Sequence, residues 1–216
     1  MTPSTTRTAP SGAGLYAAKG WFTRRLAGVV RWAVRHRVSP DVFTLAGVVC
    51  AAVAGLAVAG GWWPVALVAL VGRLAGANLD GAVARAQGAP RPFGFVLNEI
   101  GDRASDLLAM AGLVALAWRV STPAVALLAA AATVAATLPT SAALAAAGAG
   151  APRVNGGPFG KTERCAALFA ACLAGAVLDD PTPALVAVCW AVLVGSAVTA
   201  VLRLRTAHGV LRTGST

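Results

Sequence analysis

A charged stretch in the middle of the chain has the residue types and spacing to bind a metal ion. Half of the eight Asp and Glu residues lie between Arg73 and Asp106, and the flanking sequence is almost all Ala, Val, Leu and Gly. Asn98, Asp102 and Asp106 recur every fourth residue and so share one face of a helix. Carboxylate oxygens on rigid helices suit Mg²⁺ or Mn²⁺, which commonly also binds the phosphates of a nucleotide. The stretch therefore predicts a site for a metal ion and a phosphorylated ligand.

Composition predicts that this site lies in a membrane protein. Hydrophobic residues make up 57% of the chain and charged residues only 12%, and the mean hydropathy of +0.72 lies outside the soluble range. Three runs without acidic or basic residues, 42–72, 120–152 and 181–202, can each supply a span of ~20 residues. No cleavable signal peptide is evident, because the first 40 residues are polar and basic.

We predict an all-α, polytopic protein with six transmembrane helices and an N-terminal amphipathic surface helix. The spans are expected at roughly 41–59, 63–86, 93–118, 122–147, 161–178 and 183–204, with Ser39 and Pro40 starting the first and Pro139 kinking the fourth. The expected organisation is a disordered N-terminus (1–13), a basic amphipathic juxtamembrane helix (14–37), a six-helix transmembrane domain (41–204) and a cytoplasmic tail (205–216).

Basic residues predict the orientation of these spans. They are concentrated before the first span, around the second and fourth loops and in the tail, whereas the first loop has none and the fifth has only Asp179 and Asp180. The positive-inside rule then places both termini in the cytoplasm and the chain in the cell membrane. The formal net charge of +10 follows from this topology and from attraction to anionic lipid, so we expect no nucleic-acid partner.

The second and third spans are predicted to be antiparallel, so their charged residues can be compared by depth in the membrane. At 1.5 Å per residue, Asp80 lies ~9 Å and Asp102 ~13 Å from the cytoplasmic ends of their helices, so both face one cavity open to the cytoplasm. Arg73 and Asp106 both lie ~19 Å deep, which predicts a structural charge pair.

The residues from 80 to 102 resemble the signature of the CDP-alcohol phosphotransferases, six-helix membrane enzymes of phospholipid synthesis. That signature is D-x2-D-G-x2-A-R-x8-G-x3-D-x3-D, and the chain matches it at Asp80, Gly81, Ala84, Arg85, Gly94 and Asp102. The GDRASD sequence from Gly101 and the VSPDVFTLAG sequence before the first span are also similar to this family.

The resemblance implies an activity and a role for each matched residue. A phosphatidyl or similar phospho group moves from a CDP-linked lipid such as CDP-diacylglycerol to an alcohol, and CMP is released. Mg²⁺ or Mn²⁺ is the implied cofactor, Asp80, Asn98 and Asp102 are its implied ligands, and Asp102 is also the implied general base. Gly81, Ala84, Arg85 and Gly94 are expected to bind CDP, and Lys161 and Arg164 an anionic group of the acceptor. The family also implies a homodimer.

Two signature aspartates are replaced, the first by Ala77 and the third by Asn98. Asn98 still offers a carbonyl oxygen, whereas Ala77 offers no ligand. The sequence LNEIGDR, with asparagine followed by glutamate, is similar to a less characterised bacterial branch of the family, as is GPFGKTER from Gly157 to Arg164.

Other functions stay open at this point. The chain is either an active phosphotransferase or a catalytically inactive relative that binds CDP-lipid, and a transporter that uses the same carboxylates is a third, weaker alternative. The acceptor also stays open among glycerol 3-phosphate, an inositol phosphate, serine and other polyols.

Overall fold

The structure of the protein is a computed structural model that describes residues 24–88 and 91–213. All regular structure in that part of the chain is helical, which confirms the all-α prediction. The described helices are α1 (Ala27–Arg35), α2 (Pro40–Gly60), α3 (Trp63–Ala86), α4 (Pro92–Val120), α5 (Pro123–Ala135), α6 (Leu138–Gly148), α7 (Lys161–Val177) and α8 (Thr182–Thr213).

Four segments of the described chain are apolar and long enough to cross a membrane. They are α2, α3, α5 taken together with α6, and α8. Helix α4 has the required length, but charged residues are spread through its first half, and α7 has only 17 residues and begins with several charged ones. The structure thus has helices at all six predicted positions, and the number that span the membrane stays a prediction.

The predicted surface helix lies only partly in the described chain. Helix α1 covers 27–35 of the predicted range 14–37, and it presents the exposed Trp32 while burying Ala33. Residues 1–23, which include the predicted disordered N-terminus, lie outside the described residues. The position of α1 on a membrane surface stays a prediction.

Local sequence explains where several helices begin and break. The Ser39 hydroxyl accepts a hydrogen bond from the Asp41 backbone N–H (3.3 Å), and Pro40 is the first residue of α2, as predicted. The predicted fourth span is split into α5 and α6 just before Pro139, because proline cannot donate to the preceding turn. Before α8, the Thr182 N–H donates to the Asp180 carboxylate (2.9 Å), and this hydrogen bond lowers the pKa of that carboxyl.

The core is built mainly from alanine, so the helices approach closely. Helices α2 and α4 pack backbone to backbone, since a Cβ added to Gly112 would lie 2.3 Å from the Gly55 carbonyl oxygen. Helix α2 packs along both α3 and α4, whereas α3 and α4 touch each other only sparingly. Helix α7 packs against α3 and α8, and α8 also covers α5 and α6. The gap between α3 and α4 is therefore flanked by α2 on one side and α7 on the other.

Candidate active site

Asp80 is held by groups from three helices. It lies near the end of α3, and only 6% of the residue is exposed. Its Oδ2 atom accepts hydrogen bonds from the Asn98 amide of α4 and from the Thr44 hydroxyl of α2 (3.1 Å). Its Oδ1 atom accepts from the Gly81 backbone N–H (2.6 Å). The structure thus brings Asp80 and Asn98 together across the gap between α3 and α4.

Asp102 lies one helical turn beyond Asn98 on the same face of α4 and is paired with Lys161. The Lys161 ammonium donates to Asp102 Oδ1, and the two side chains are 29% and 14% exposed. Lys161 is the first residue of α7, so this ion pair joins α7 to α4. Lys161, expected to serve the acceptor, therefore also contacts the expected base.

Asp106 is buried among three guanidinium groups. Arg73 from α3 and Arg164 from α7 (2.7 Å) each donate to one of its oxygens, and the Arg103 guanidinium lies 3.8 Å away. Asp106, Arg73 and Arg164 are each no more than 4% exposed. The expected pair of Arg73 and Asp106 is thus part of a larger cluster. Arg164 is enclosed in that cluster, and its expected contact with the acceptor stays a prediction.

The two ion pairs between α4 and α7 form consecutive steps of one ladder. Lys161 and Arg164 are three residues apart on α7, and their partners Asp102 and Asp106 are four apart on α4, so each set shares a helix face. The pair closer to the helix ends is partly open to solvent, and the deeper pair is closed. The open step is the one suited to contact a ligand.

Small residues and one arginine line the end of α3 where CDP is expected. Gly81 has the Arg85 guanidinium against it, since a Cβ at Gly81 would lie 3.2 Å from Arg85 Nη1. Ala84 is half-buried on the same helix, and Arg85 is exposed. Across the gap, a Cβ on Gly94 would meet only the Arg91 side chain, at 3.8 Å. The structure therefore leaves space at this rim with a cation beside it.

Arg203, one of the basic residues near the end of the chain from which the orientation is predicted, also holds the loop that leads into α7. Arg203 is 8% exposed and donates to three backbone carbonyls, those of Pro139 (2.8 Å), Asn155 (3.0 Å) and Gly156 (2.9 Å). Nothing in the sequence distinguished it from Arg205 two residues later. Arg203 on α8 therefore holds the segment that precedes Lys161, the first residue of α7.

The residues next to the replaced aspartates are Asn78 and Glu99, and both make contacts of their own. The Asn78 amide donates to the Leu74 carbonyl of its own helix (2.7 Å). Glu99 forms an ion pair with Arg153 (2.7 Å), whose guanidinium also lies over the Phe95 ring. Glu99 therefore adds no unpaired carboxylate to Asp80 and Asp102, whereas the buried Asn78 Oδ1 atom keeps no hydrogen-bond partner among the described residues.

These observations define an all-helical membrane protein with a charged site at one end of its helix bundle. The family model for CDP-alcohol phosphatidyltransferases matches residues 37–206, and the chain belongs to this family. The match includes every site residue described above.

Solved structures of one mycobacterial enzyme are similar to the chain over most of their length. Phosphatidylinositol phosphate synthase (PgsA1) of Mycobacterium tuberculosis with CDP-DAG bound is 26% identical, with a TM-score of 0.76 over 85% of this chain and 94% of that one. The same enzyme in complex with manganese and citrate is 26% identical, with a TM-score of 0.75 over 83% and 87%. Among curated protein sequences, none matches the chain.

The family uses divalent metals, and the donors of this chain fit one such ion better than two. No group of three or more His, Cys, Asp or Glu in the described chain is placed to hold a metal by itself. Asp80, Asn98 and Asp102 offer two carboxylates and one amide. Mg²⁺ and Mn²⁺ accept such a partial set when substrate phosphates complete the coordination. A second metal ion would need carboxylates at positions 77 and 98, where the chain has Ala77 and Asn98.

Proposed function

We propose that the chain is an active, metal-dependent phosphotransferase that moves a phosphatidyl group from a CDP-linked lipid, such as CDP-diacylglycerol, to an alcohol. The observation that carries this proposal is the meeting of Asp80 and Asn98 between α3 and α4, with Asp102 one turn further on the same face. Membership of the family and similarity to an enzyme solved with CDP-DAG support the same substrate class.

Asp102 is the proposed general base. It accepts the proton of the acceptor hydroxyl as that oxygen bonds to the β-phosphorus of the CDP-lipid. The bond from this phosphorus to the bridging oxygen breaks, and CMP leaves with that oxygen and its electron pair. Asp102 suits this role because its side chain is partly open to solvent, whereas Asp106 on the next turn is enclosed by arginines.

Gly81, Ala84, Arg85 and Gly94 are the proposed CDP-binding residues. Small side chains on α3 and α4 leave room for the nucleotide, and the exposed Arg85 guanidinium beside Gly81 can pair with a phosphate. Asp80, Asn98 and Asp102 are the proposed ligands of Mg²⁺ or Mn²⁺. When bound, that ion would neutralise the diphosphate.

The proposed acceptor site is the basic region between α4, α7 and α8. Lys161 is partly exposed at its edge, and Arg164 supports it from the buried cluster on Asp106. Three guanidinium groups share the single carboxylate of Asp106, and Arg203 donates to backbone carbonyls, so positive charges outnumber negative ones in this region. This surplus favours an acceptor that carries an anionic group.

The proposed arrangement is a multi-pass protein of the cell membrane with six spans in 41–204 and both termini in the cytoplasm. Helices occupy all six predicted positions, and four of the segments are apolar enough to span by themselves. Residues 14–37 are the proposed surface helix, 205–216 the proposed tail, and the homodimer stays a prediction from the family.

A catalytically inactive CDP-lipid-binding protein is the second candidate. The ion pair of Lys161 with Asp102 favours it, because an ammonium occupies one side of the expected base. Ala77 and Asn98 favour it as well, since they remove two carboxylates from the signature.

The test is CMP release by the purified full chain in lipid. CDP-diacylglycerol, Mg²⁺ or Mn²⁺ and a pool of alcohol acceptors are supplied to the native chain and to Asp102→Asn. Asp179→Asn is the matched control, because it makes the same change in a loop at the other end of the bundle.

We expect metal-dependent CMP release from the native chain and from Asp179→Asn, and at least a hundredfold loss in Asp102→Asn. Splitting the pool then identifies the acceptor. Binding of CDP-lipid without CMP release in any combination of metal and acceptor would support the inactive relative instead.

A further inference from the structure

Lys161 brings a fixed positive charge to a carboxylate at a metal-binding position of the signature. Its ammonium contacts Asp102 Oδ1 from the first turn of α7. That turn is held in place, since the Gly160 N–H donates to Glu163 (2.9 Å) and the Phe159 N–H donates to the Thr199 hydroxyl of α8 (3.0 Å). Lys161 therefore projects from an anchored helix start rather than from a free loop.

The charges of the signature and of this chain differ by the equivalent of one divalent ion. Four aspartates carry four negative charges, which balance two divalent cations. Here Ala77 and Asn98 are neutral, so Asp80 and Asp102 balance only one. Their neighbours add no net charge, because Glu99 is neutralised by Arg153 and the Asn78 amide is neutral.

The direction of the Asn98 hydrogen bond makes the site still less negative than the signature site. Its amide N–H donates to Asp80 Oδ2, so position 98 presents the positive end of a dipole to the carboxylate. A signature aspartate at this position would present negative oxygens instead. The loss of two carboxylates and the direction of the Asn98 hydrogen bond both reduce the negative charge that can bind cations, and Lys161 adds a positive charge.

We propose that the site binds one divalent cation per chain and that the Lys161 ammonium takes the place of the second. This inference rests on the proposed function, because it assigns the charge that faces the CDP-lipid phosphates. An ammonium can neutralise carboxylate and phosphate oxygens and donate three hydrogen bonds to them. Unlike a metal ion, it does not exchange with the medium.

The experiment counts bound Mn²⁺ by electron paramagnetic resonance. The full chain is placed in phosphatidylcholine nanodiscs with CDP-diacylglycerol, Mn²⁺ is titrated to saturation, and protein-free nanodiscs give the background. We expect one Mn²⁺ per native chain. Two Mn²⁺ per native chain would overturn the inference without any variant being needed.

Restoring the missing carboxylates tests the role of Lys161 directly. We expect Ala77→Asp combined with Asn98→Asp to bind a second Mn²⁺ weakly, because the ammonium competes for Asp102. Adding Lys161→Ala should tighten this second site about tenfold, through loss of a neighbouring like charge. Adding Arg119→Ala, which removes a positive charge at the far end of α4, should leave it unchanged.

Equal affinity of the second ion with and without Lys161 would overturn the inference. The proposed function is tested separately by CMP release from the same nanodiscs after the pool of alcohol acceptors is added. One Mn²⁺ per chain without CMP release would keep the single-ion site and reject the enzyme. CMP release with two Mn²⁺ per chain would keep the enzyme and reject the role of Lys161.

Discussion

Asp106 shows how one carboxylate can stabilise a buried cluster of cations. It contacts Arg73, Arg164 and Arg103, and Arg73 is almost completely buried. Breaking a buried pair costs about 3–5 kcal/mol, because the remaining charge loses its partner in a medium that solvates it poorly. The cluster therefore belongs to the fold, although it lies one turn from the site.

We predict that Asp106→Asn lowers the thermal unfolding midpoint strongly, with a loss of about 3–5 kcal/mol in unfolding free energy. Asp80→Asn should unfold near the native temperature, because the new amide oxygen can still accept from the Gly81 N–H and the new amide nitrogen can donate to the Thr44 hydroxyl. Tryptophan fluorescence during heating in detergent measures both. An equal loss in the two variants would contradict the division between a structural Asp106 and a functional Asp80.

The pairing of Arg73 with Asp106 was predictable from the sequence, whereas that of Lys161 with Asp102 was not. Helices α3 and α4 are consecutive and antiparallel, so a fixed rise per residue places Arg73 and Asp106 at one depth. Lys161 follows Asp102 by 59 residues and reaches it only through the packing of α7 on the bundle. Depth alone does not say which helices are neighbours.

At the scale of helices, the contact of α2 with α4 depends on two glycines. The Gly55 and Gly112 backbones touch, so neither position has space for a side chain. We predict that Gly112→Ala costs about 1–3 kcal/mol through overpacking, measured as a lower thermal midpoint. Gly148→Ala is the control, since a Cβ there meets nothing within 4 Å. Equal midpoints would show that α2 and α4 can separate at little cost.

The loop before α7 is held by Arg203, and we predict faster proteolysis when this hold is removed. Arg203→Ala removes hydrogen bonds to the carbonyls of Asn155 and Gly156, so the loop opens more often. Trypsin cleavage after Arg153 should then become about tenfold faster, as followed by mass spectrometry. Arg205→Ala changes an exposed residue of the same helix, and this variant should be cleaved at the native rate. No difference between the two would mean that other contacts hold the loop.

Hydropathy located the helices well but not all of their ends. The predicted span 63–86 has the same limits as α3, which begins at Trp63 and Pro64 and is followed by Gly88 with a positive φ of 64°. Helix α8 continues to Thr213, beyond the predicted end at 204. The reason is that hydropathy measures the part of a helix that suits lipid, whereas backbone hydrogen bonding continues into water.

At the scale of the whole molecule, the asymmetry of charge predicts its direction in the membrane. Cys165, Cys172 and Cys189 are buried and Cys50 is half-buried, so a new surface cysteine can be labelled selectively. We predict that an impermeant maleimide labels Asp179→Cys from outside intact cells and Gly209→Cys only after the membrane is opened. Both positions are exposed in the structure. Labelling of both from one side would contradict the proposed topology.

The alanine core also limits which substitutions this protein can tolerate during evolution. A large core side chain can be shortened at the cost of a cavity while the helices keep their spacing, whereas an alanine can be shortened only to glycine. Any enlargement has to push two backbones apart, as at Gly55 and Gly112. Sequence drift is therefore expected on the lipid-facing valines and leucines, while the alanine and glycine positions of the interior change only among glycine, alanine and serine.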